Sequence, residues 1–241
     1  MARSLFTDTS HLSRGMFALA CLTLILGTVF HWHLVPYTQA QQPIKSAPVN
    51  SYTATANTVS SASDTFLALA KTVAEDAAAK RLVDYKLKND PTSQPRYWAV
   101  VDFNQPSTSK RLYVFDTVEK KVNTYYVAHG RGSEGHNDDG VAETFSNTTG
   151  SNSSSLGIYK TLDVYNGHHG RSLRLEGLEP TNSNALSRAI VLHTADYVSD
   201  SFIRQTGRLG RSEGCFAVDK VVGDTLIDEL GSGAYIVASR N

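Results

Sequence analysis

With 241 residues the chain has room for one large domain or two small ones. Lysine and arginine together number 23, as do aspartate and glutamate, so the formal charge is zero. That balance excludes the broad basic face that nucleic acid or an anionic membrane surface would require.

Arg3 and Arg14 precede a largely apolar run from Met16 to Phe30, and Thr38-Gln39-Ala40 follows. A basic start, an apolar stretch of about fifteen residues and a small-x-Ala site predict a secretory signal peptide over 1–40, or a signal anchor if the segment is kept. Either outcome puts the rest of the chain in the periplasm or cell envelope. The membrane is then touched only through an uncleaved N-terminal segment. Cys21 sits inside the apolar run rather than at its end, so lipoprotein processing is not expected. Removal of the segment leaves Cys215 as the single thiol. Alone in an oxidising compartment and set in the polar, glycine-rich RLGRSEGC, it is expected to be reactive rather than a core residue.

Residues 41–62 are rich in Ser, Thr, Ala, Asn and Pro and carry few large apolar side chains. They cannot bury enough surface to offset ordering, which predicts a flexible linker. Over 63–94 the pattern becomes helical. Phe66, Leu69, Val73, Ala77, Leu82 and Tyr85 recur at three- and four-residue spacing, Ser63 or Asp64 is the expected cap, and Asp90-Pro91 the stop.

From 95 to 241 the chain reads as one mainly β domain. Strands are predicted over Tyr97 to Phe103, Lys110 to Asp116, Val122 to Ala128, Leu156 to Tyr165, Ser172 to Leu178, Ala189 to His193, Cys215 to Val218 and Ala234 to Ala238. Two short helices are predicted at Asp200 to Thr206, between Ser199 and Gly207, and at Val221 to Leu230, before Gly231. Long helices do not alternate with the strands, which argues against a doubly wound parallel sheet and for a sandwich or barrel. A polar, glycine-rich loop from Ala128 to Tyr159 is long enough to suggest a functional role.

The chemistry concentrates between Ala189 and Val218. His193 closes an apolar run, and Cys215 follows Gly214 in a tight polar turn. An imidazole can take the proton of a thiol whose ordinary pKa is about 8.5, and main-chain N–H groups around Gly214 can face a developing oxyanion. For substrate binding the candidates are His129, Ser155, Arg208 and Arg211, the arginines because a guanidinium fork fits a carboxylate. His168 and His169 are neighbours whose rings would point apart on an extended chain, so they do not suggest a metal centre. Neither a metal nor a cofactor is expected.

Several blocks, in order, resemble a known family. They are VVDFNQPSTSKRLYVFD at 100–116, YVAHGRGS at 126–133, FSNTTGSNSSSLGIY at 145–159, SLRLEGLE at 172–179, IVLHTADYVS at 190–199 and GRLGRSEGCFAV at 207–218. They are similar to the murein L,D-transpeptidase catalytic domains of the second YkuD-like group. The resemblance implies a mainly β, YkuD-like domain acting on peptidoglycan stem peptides. It implies Cys215 as nucleophile, His193 as base, Gly214 and Cys215 as oxyanion donors, and Ser212 in the Ser/Thr place of the motif. Glu213 stands where better-studied relatives have histidine, and Phe216 and Ala217 replace the usual Arg or Asn. Three activities follow as alternatives: a transpeptidase, an L,D-carboxypeptidase with water as acceptor, or a non-catalytic wall-binding module.

Overall fold

The computed structural model describes residues 61–231 and 233–240. The expected signal segment, and the expected linker up to residue 60, lie outside the described residues. The expected helix is two. Helix α1 (Ala62–Lys71) starts one residue inside the expected linker, at a capping box in which the Ser61 hydroxyl accepts from the Asp64 N–H and the Asp64 carboxylate accepts from the Ser61 N–H. The cap is therefore Ser61, not Ser63 or Asp64. After Thr72 the chain leaves the helix, Ala74 takes a left-handed φ of 60°, and α2 (Asp76–Asn89) begins. Three- and four-residue spacing runs on in the sequence through this corner and both helices contribute to one apolar cluster, which hides the break from periodicity, although Ala77 of that spacing is exposed and Ala79 is buried in its place.

Nine strands follow: β1 (Tyr97–Asp102), β2 (Leu112–Asp116), β3 (Lys121–Tyr125), β4 (Val127–Ala128), β5 (Gly157–Gly167), β6 (Gly170–Gly177), β7 (Val191–Thr194), β8 (Phe216–Val218) and β9 (Tyr235–Ser239). Helix α3 (Asp200–Thr206) lies between β7 and β8, and α4 (Lys220–Leu230) between β8 and β9. One sheet runs β3-β2-β1-β9-β5-β6-β7-β8-β4 and curls into a nearly closed barrel. The β1–β9 and β7–β8 pairs are parallel and the rest antiparallel.

The near-continuous apolar character of β1 and β9 has a plain cause, since both faces are covered. Ala99, Val101, Ile236 and Ala238 join the inner core with Leu226, Ile227 and Leu230 of α4. The alternate residues Trp98, Val100, Tyr235 and Val237 turn outward and pack under Phe66, Leu82 and Val83 of α1 and α2. Phe66 stacks on Trp98 at 4.7 Å and meets Phe115 edge-on at 5.0 Å. Burying each such side chain is worth about 1.5–3 kcal/mol. Among the described residues no helix is long and apolar enough to cross a membrane.

Both short helices form where predicted. Ser199 accepts from the Phe202 N–H at 3.1 Å, Gly207 ends α3 at φ 82°, and Asp219 caps α4 through the Val221 N–H at 2.8 Å. The hairpin of β5 and β6 extends further than predicted, to a tip at His168-His169 flanked by Gly167 and Gly170. In that tip turn the two rings do not point apart. Their centroids are 5.4 Å from each other, and His169 lies over His193.

Candidate active site

The thiol is held by a turn that only glycine permits. Gly214 has φ 115°, and a Cβ there would meet the Ser153 carbonyl oxygen at 2.7 Å. The Ser212 hydroxyl closes the turn internally: it accepts from the Gly214 N–H at 3.1 Å and donates to the Cys215 carbonyl at 2.7 Å. Outside the turn, the Ser212 N–H donates to the His129 carbonyl at 3.0 Å and the Arg131 N–H to the Ser212 carbonyl at 2.8 Å. Ser212 is thus the brace of the turn, and the Gly214 N–H must exchange Ser212 for any incoming oxyanion. The Cys215 thiol points back to the Ala189 carbonyl at 3.6 Å and is 9 % exposed. Ala189 itself has a left-handed φ of 54°, a strained conformation that aims its carbonyl at the sulfur.

His193 comes from β7, the parallel neighbour of the strand that Cys215 leads into, with Leu192 opposite Phe216 and His193 opposite Ala217. Its Nδ1 lies 2.9 Å from the Thr194 carbonyl. A carbonyl only accepts, so Nδ1 carries the proton and Nε2 keeps a lone pair. His169 stacks on this ring at 4.3 Å and 19°. Burial pushes the His193 pKa down, and the His169 neighbour adds to this. Burial likewise pushes the Cys215 thiol up, with Glu213 adding to the rise and the Val191 N–H and Arg188 opposing it. Both shifts favour the neutral forms, thiol and imidazole, at rest.

Cys215 and His193 line one cavity of about 530 Å³, together with Ser212, Glu213, Arg211 and Arg188. The long polar loop forms another wall through Thr149, Gly150 and Asn152. Glu213 and Arg131, both exposed, pair at 2.9 Å beside it.

The expected substrate contacts divide. Arg211 reaches the cavity while bonded to Asp138 and, at 3.3 Å, to Glu134. Arg208 does not line it, because its guanidinium clasps both Asp138 oxygens at 2.9 Å. His129 and Ser155 are buried. Arg111 Nη2 donates to His129 Nδ1 at 2.7 Å, so His129 Nε2–H donates to Glu134 at 2.8 Å. Burial and the Arg111 charge hold this imidazole below its usual pKa. Ser155 donates to the Ser146 carbonyl at 2.8 Å and accepts from Arg188 at 2.6 Å. These two support the walls rather than form them. Arg188, Tyr197 and His169 line the cavity without having been singled out as substrate contacts. Arg188 follows a serine- and asparagine-rich stretch with no period to betray it. Among the described residues no group of three His, Cys, Asp or Glu is arranged to hold a metal ion.

The model of the L,D-transpeptidase catalytic domain, of the second YkuD-like group, matches residues 69–238. The chain belongs to that family. No curated protein matches it. Solved structures similar to it include an L,D-transpeptidase from Mycobacterium smegmatis, at 11% identity and TM-score 0.36, covering 60% of this chain and 59% of that one. An L,D-transpeptidase from Mycobacterium tuberculosis H37Rv matches at 14% and 0.34, over 61% and 58% of the two chains. One from Stackebrandtia nassauensis matches at 13% and 0.35, over 73% and 76%. The chain thus spans less than two thirds of the mycobacterial proteins, and scores of this size add nothing to the family match.

Proposed function

We propose that this chain is an exported peptidoglycan L,D-transpeptidase working through a Cys215 acyl-enzyme. The observation that carries the reading is that the cavity receives a buried thiol, from the turn leading into β8, and an imidazole with a free Nε2 lone pair, from the parallel neighbour β7. Nε2 of His193 takes the thiol proton as Sγ attacks the carbonyl between the third stem residue, a diamino acid, and the fourth, D-Ala. The tetrahedral oxyanion is held by main-chain N–H groups of the turn, that of Gly214 leaving Ser212 to do so. Collapse breaks the amide bond, and D-Ala leaves with the proton from His193. An amine of a second stem, losing its proton to His193, then displaces the thiolate and forms the cross-link. Strand β7, which holds His193, and the braced turn before β8, which holds Cys215, supply the fixed geometry such a step needs.

One observation bears on the acceptor. Glu213, with its Arg131 partner, lines the cavity where better-studied relatives are described by the resemblance as having histidine, and this changes what the second stem would meet. The deciding experiment is incubation of the purified protein with disaccharide tetrapeptide, the products being weighed by mass spectrometry. Dimers lacking one D-Ala are expected. Tripeptide alone would make the enzyme a carboxypeptidase, and unchanged substrate would leave a wall-binding module. Cys215→Ser is expected to abolish the thioester adduct with substrate or a carbapenem while the circular dichroism spectrum stays that of the parent. An undiminished adduct removes Cys215 from the mechanism.

A further inference from the structure

The anionic form of Cys215 is opposed by its surroundings, since the sulfur is nearly buried and Glu213 is two residues away. A cation that offsets them has to be near the sulfur and has to lack a carboxylate of its own. The other ionisable groups near Cys215 are His193, Tyr159, Tyr197 and Glu213. Arg131, Arg211 and His169 also line the cavity. Arg131 is committed to Glu213, and Arg211 to Glu134 and Asp138, so neither supplies a positive charge free of a carboxylate partner.

Arg188 is different. Its Nη1 donates to the Ser146 carbonyl at 2.7 Å and to the Ser155 hydroxyl at 2.6 Å. Its Nη2 donates to the Ser153 carbonyl at 2.6 Å and to the Ser151 hydroxyl at 3.3 Å. All four acceptors are neutral. The guanidinium packs against the residue before the thiol, since a Cβ built on Gly214 would lie 3.1 Å from Nη2. Four acceptors occupy both terminal nitrogens, so little of the fork is left to grip a substrate carboxylate. What remains available is its charge, fixed in place by uncharged groups that do not cancel it.

We propose that Arg188 is a positioning residue for the acyl-transfer step, a fixed positive charge behind the nucleophile turn that stabilises the anionic sulfur of Cys215 as the thiol attacks and as the thioester later breaks. It also explains the composition of the polar loop. Serine hydroxyls and main-chain carbonyls at 146, 151, 153 and 155 hold a guanidinium without neutralising it, whereas an acidic residue there would defeat it.

The proposal rests on Cys215 as the reacting thiol, and its test reads that thiol directly. Alkylation of the full chain by iodoacetamide is followed across pH and scored on the Cys215 peptide by mass spectrometry. No stem peptide is needed, so this proposal can fail while cross-linking stands, and the reverse. Arg188→Gln is expected to move the midpoint up by about one pH unit, slowing alkylation about tenfold below both midpoints. Arg188→Lys, which keeps the charge and loses the fork, is expected to stay near the parent. An unchanged midpoint in folded Arg188→Gln overturns the proposal, as does an equal displacement in both variants, which would mean that the hydrogen bonds rather than the charge matter. Should Arg188→Gln fail to fold, Arg188→Lys decides alone: a midpoint within about half a unit of the parent supports the fixed charge, and a rise of about one unit or more overturns it.

Discussion

Where β1 runs between β2 and β9, each face of the sheet meets an apolar layer, and Phe66, Trp98, Phe115 and Tyr235 fill the outer one. Where β8 runs between β7 and β4, the surroundings include a braced polar turn, two left-handed residues at Ala189 and Gly214, and a cavity edged with charge. The first region gains stability from area removed from water. The second holds conformations and buried polar groups that are unfavourable alone and persist because neighbouring hydrogen bonds over-determine them. The apolar double layer and the candidate site thus lie at different parts of one sheet, and substitutions should separate stability from the proposed activity.

The largest separation is expected from His193→Ala. Loss of the base should slow acylation by about 10²- to 10⁴-fold in single-turnover measurements, with a melting temperature close to the parent's. A variant that melts well below the parent would make His193 a core residue and blur the division. Phe66→Ala should do the opposite. It empties the stack on Trp98 and should cost about 3–5 kcal/mol in urea denaturation, while the molecules that remain folded acylate at the parent rate. A parallel fall in acylation would mean that the helix-covered face controls the cavity.

The smallest effect concerns Glu75, at the corner between α1 and α2. Burial first, then Asp102 and Asp76, push its carboxyl up to about 7. A raised pKa means that the stabilisation belongs to the protonated form. It is complete below the unfolded value of about 4.3 and is lost as pH rises through 7. Glu75→Gln should therefore raise the melting temperature by about 2–4 °C at pH 8 and make little difference at pH 4. A gain of the same size at both values would show that ionisation is not the cause.

The same division explains what could be read from the residues alone. Most strands and both short helices were legible because alternation, capping residues such as Ser199 and terminal glycines such as Gly207 are local signals, but the run expected as one strand over Val122 to Ala128 is two, β3 and β4, at opposite edges of the sheet. Cys215 and His193 stood out because a cysteine in a polar turn and a histidine ending an apolar run contradict their setting, and the structure brings both to one cavity. The supporting residues were not. His129 looks like a ligand contact until Arg111, buried eighteen residues earlier, and Glu134 are found on its two nitrogens. Ser155 looks like a loop hydroxyl until Arg188, thirty-three residues later, is found on it. Such roles depend on partners distant in sequence, and no periodicity marks them. The corner at Ala74 was hidden for the opposite reason, because the apolar spacing continues across it.

The parallel pairing of β7 with β8 carries one more consequence. His193 faces Ala217, so Cys215 stands one ladder spacing, about 4.8 Å, across from it and two residues along. The strand register sets that interval, while α3 lies outside the sheet in the chain that joins them. Its length is therefore free to drift. Insertions and deletions between 199 and 207 can accumulate in related chains without changing the reach from base to thiol, and the number of residues separating the two is a poor measure of kinship here. Register, rather than the count of intervening residues, fixes how the two side chains meet.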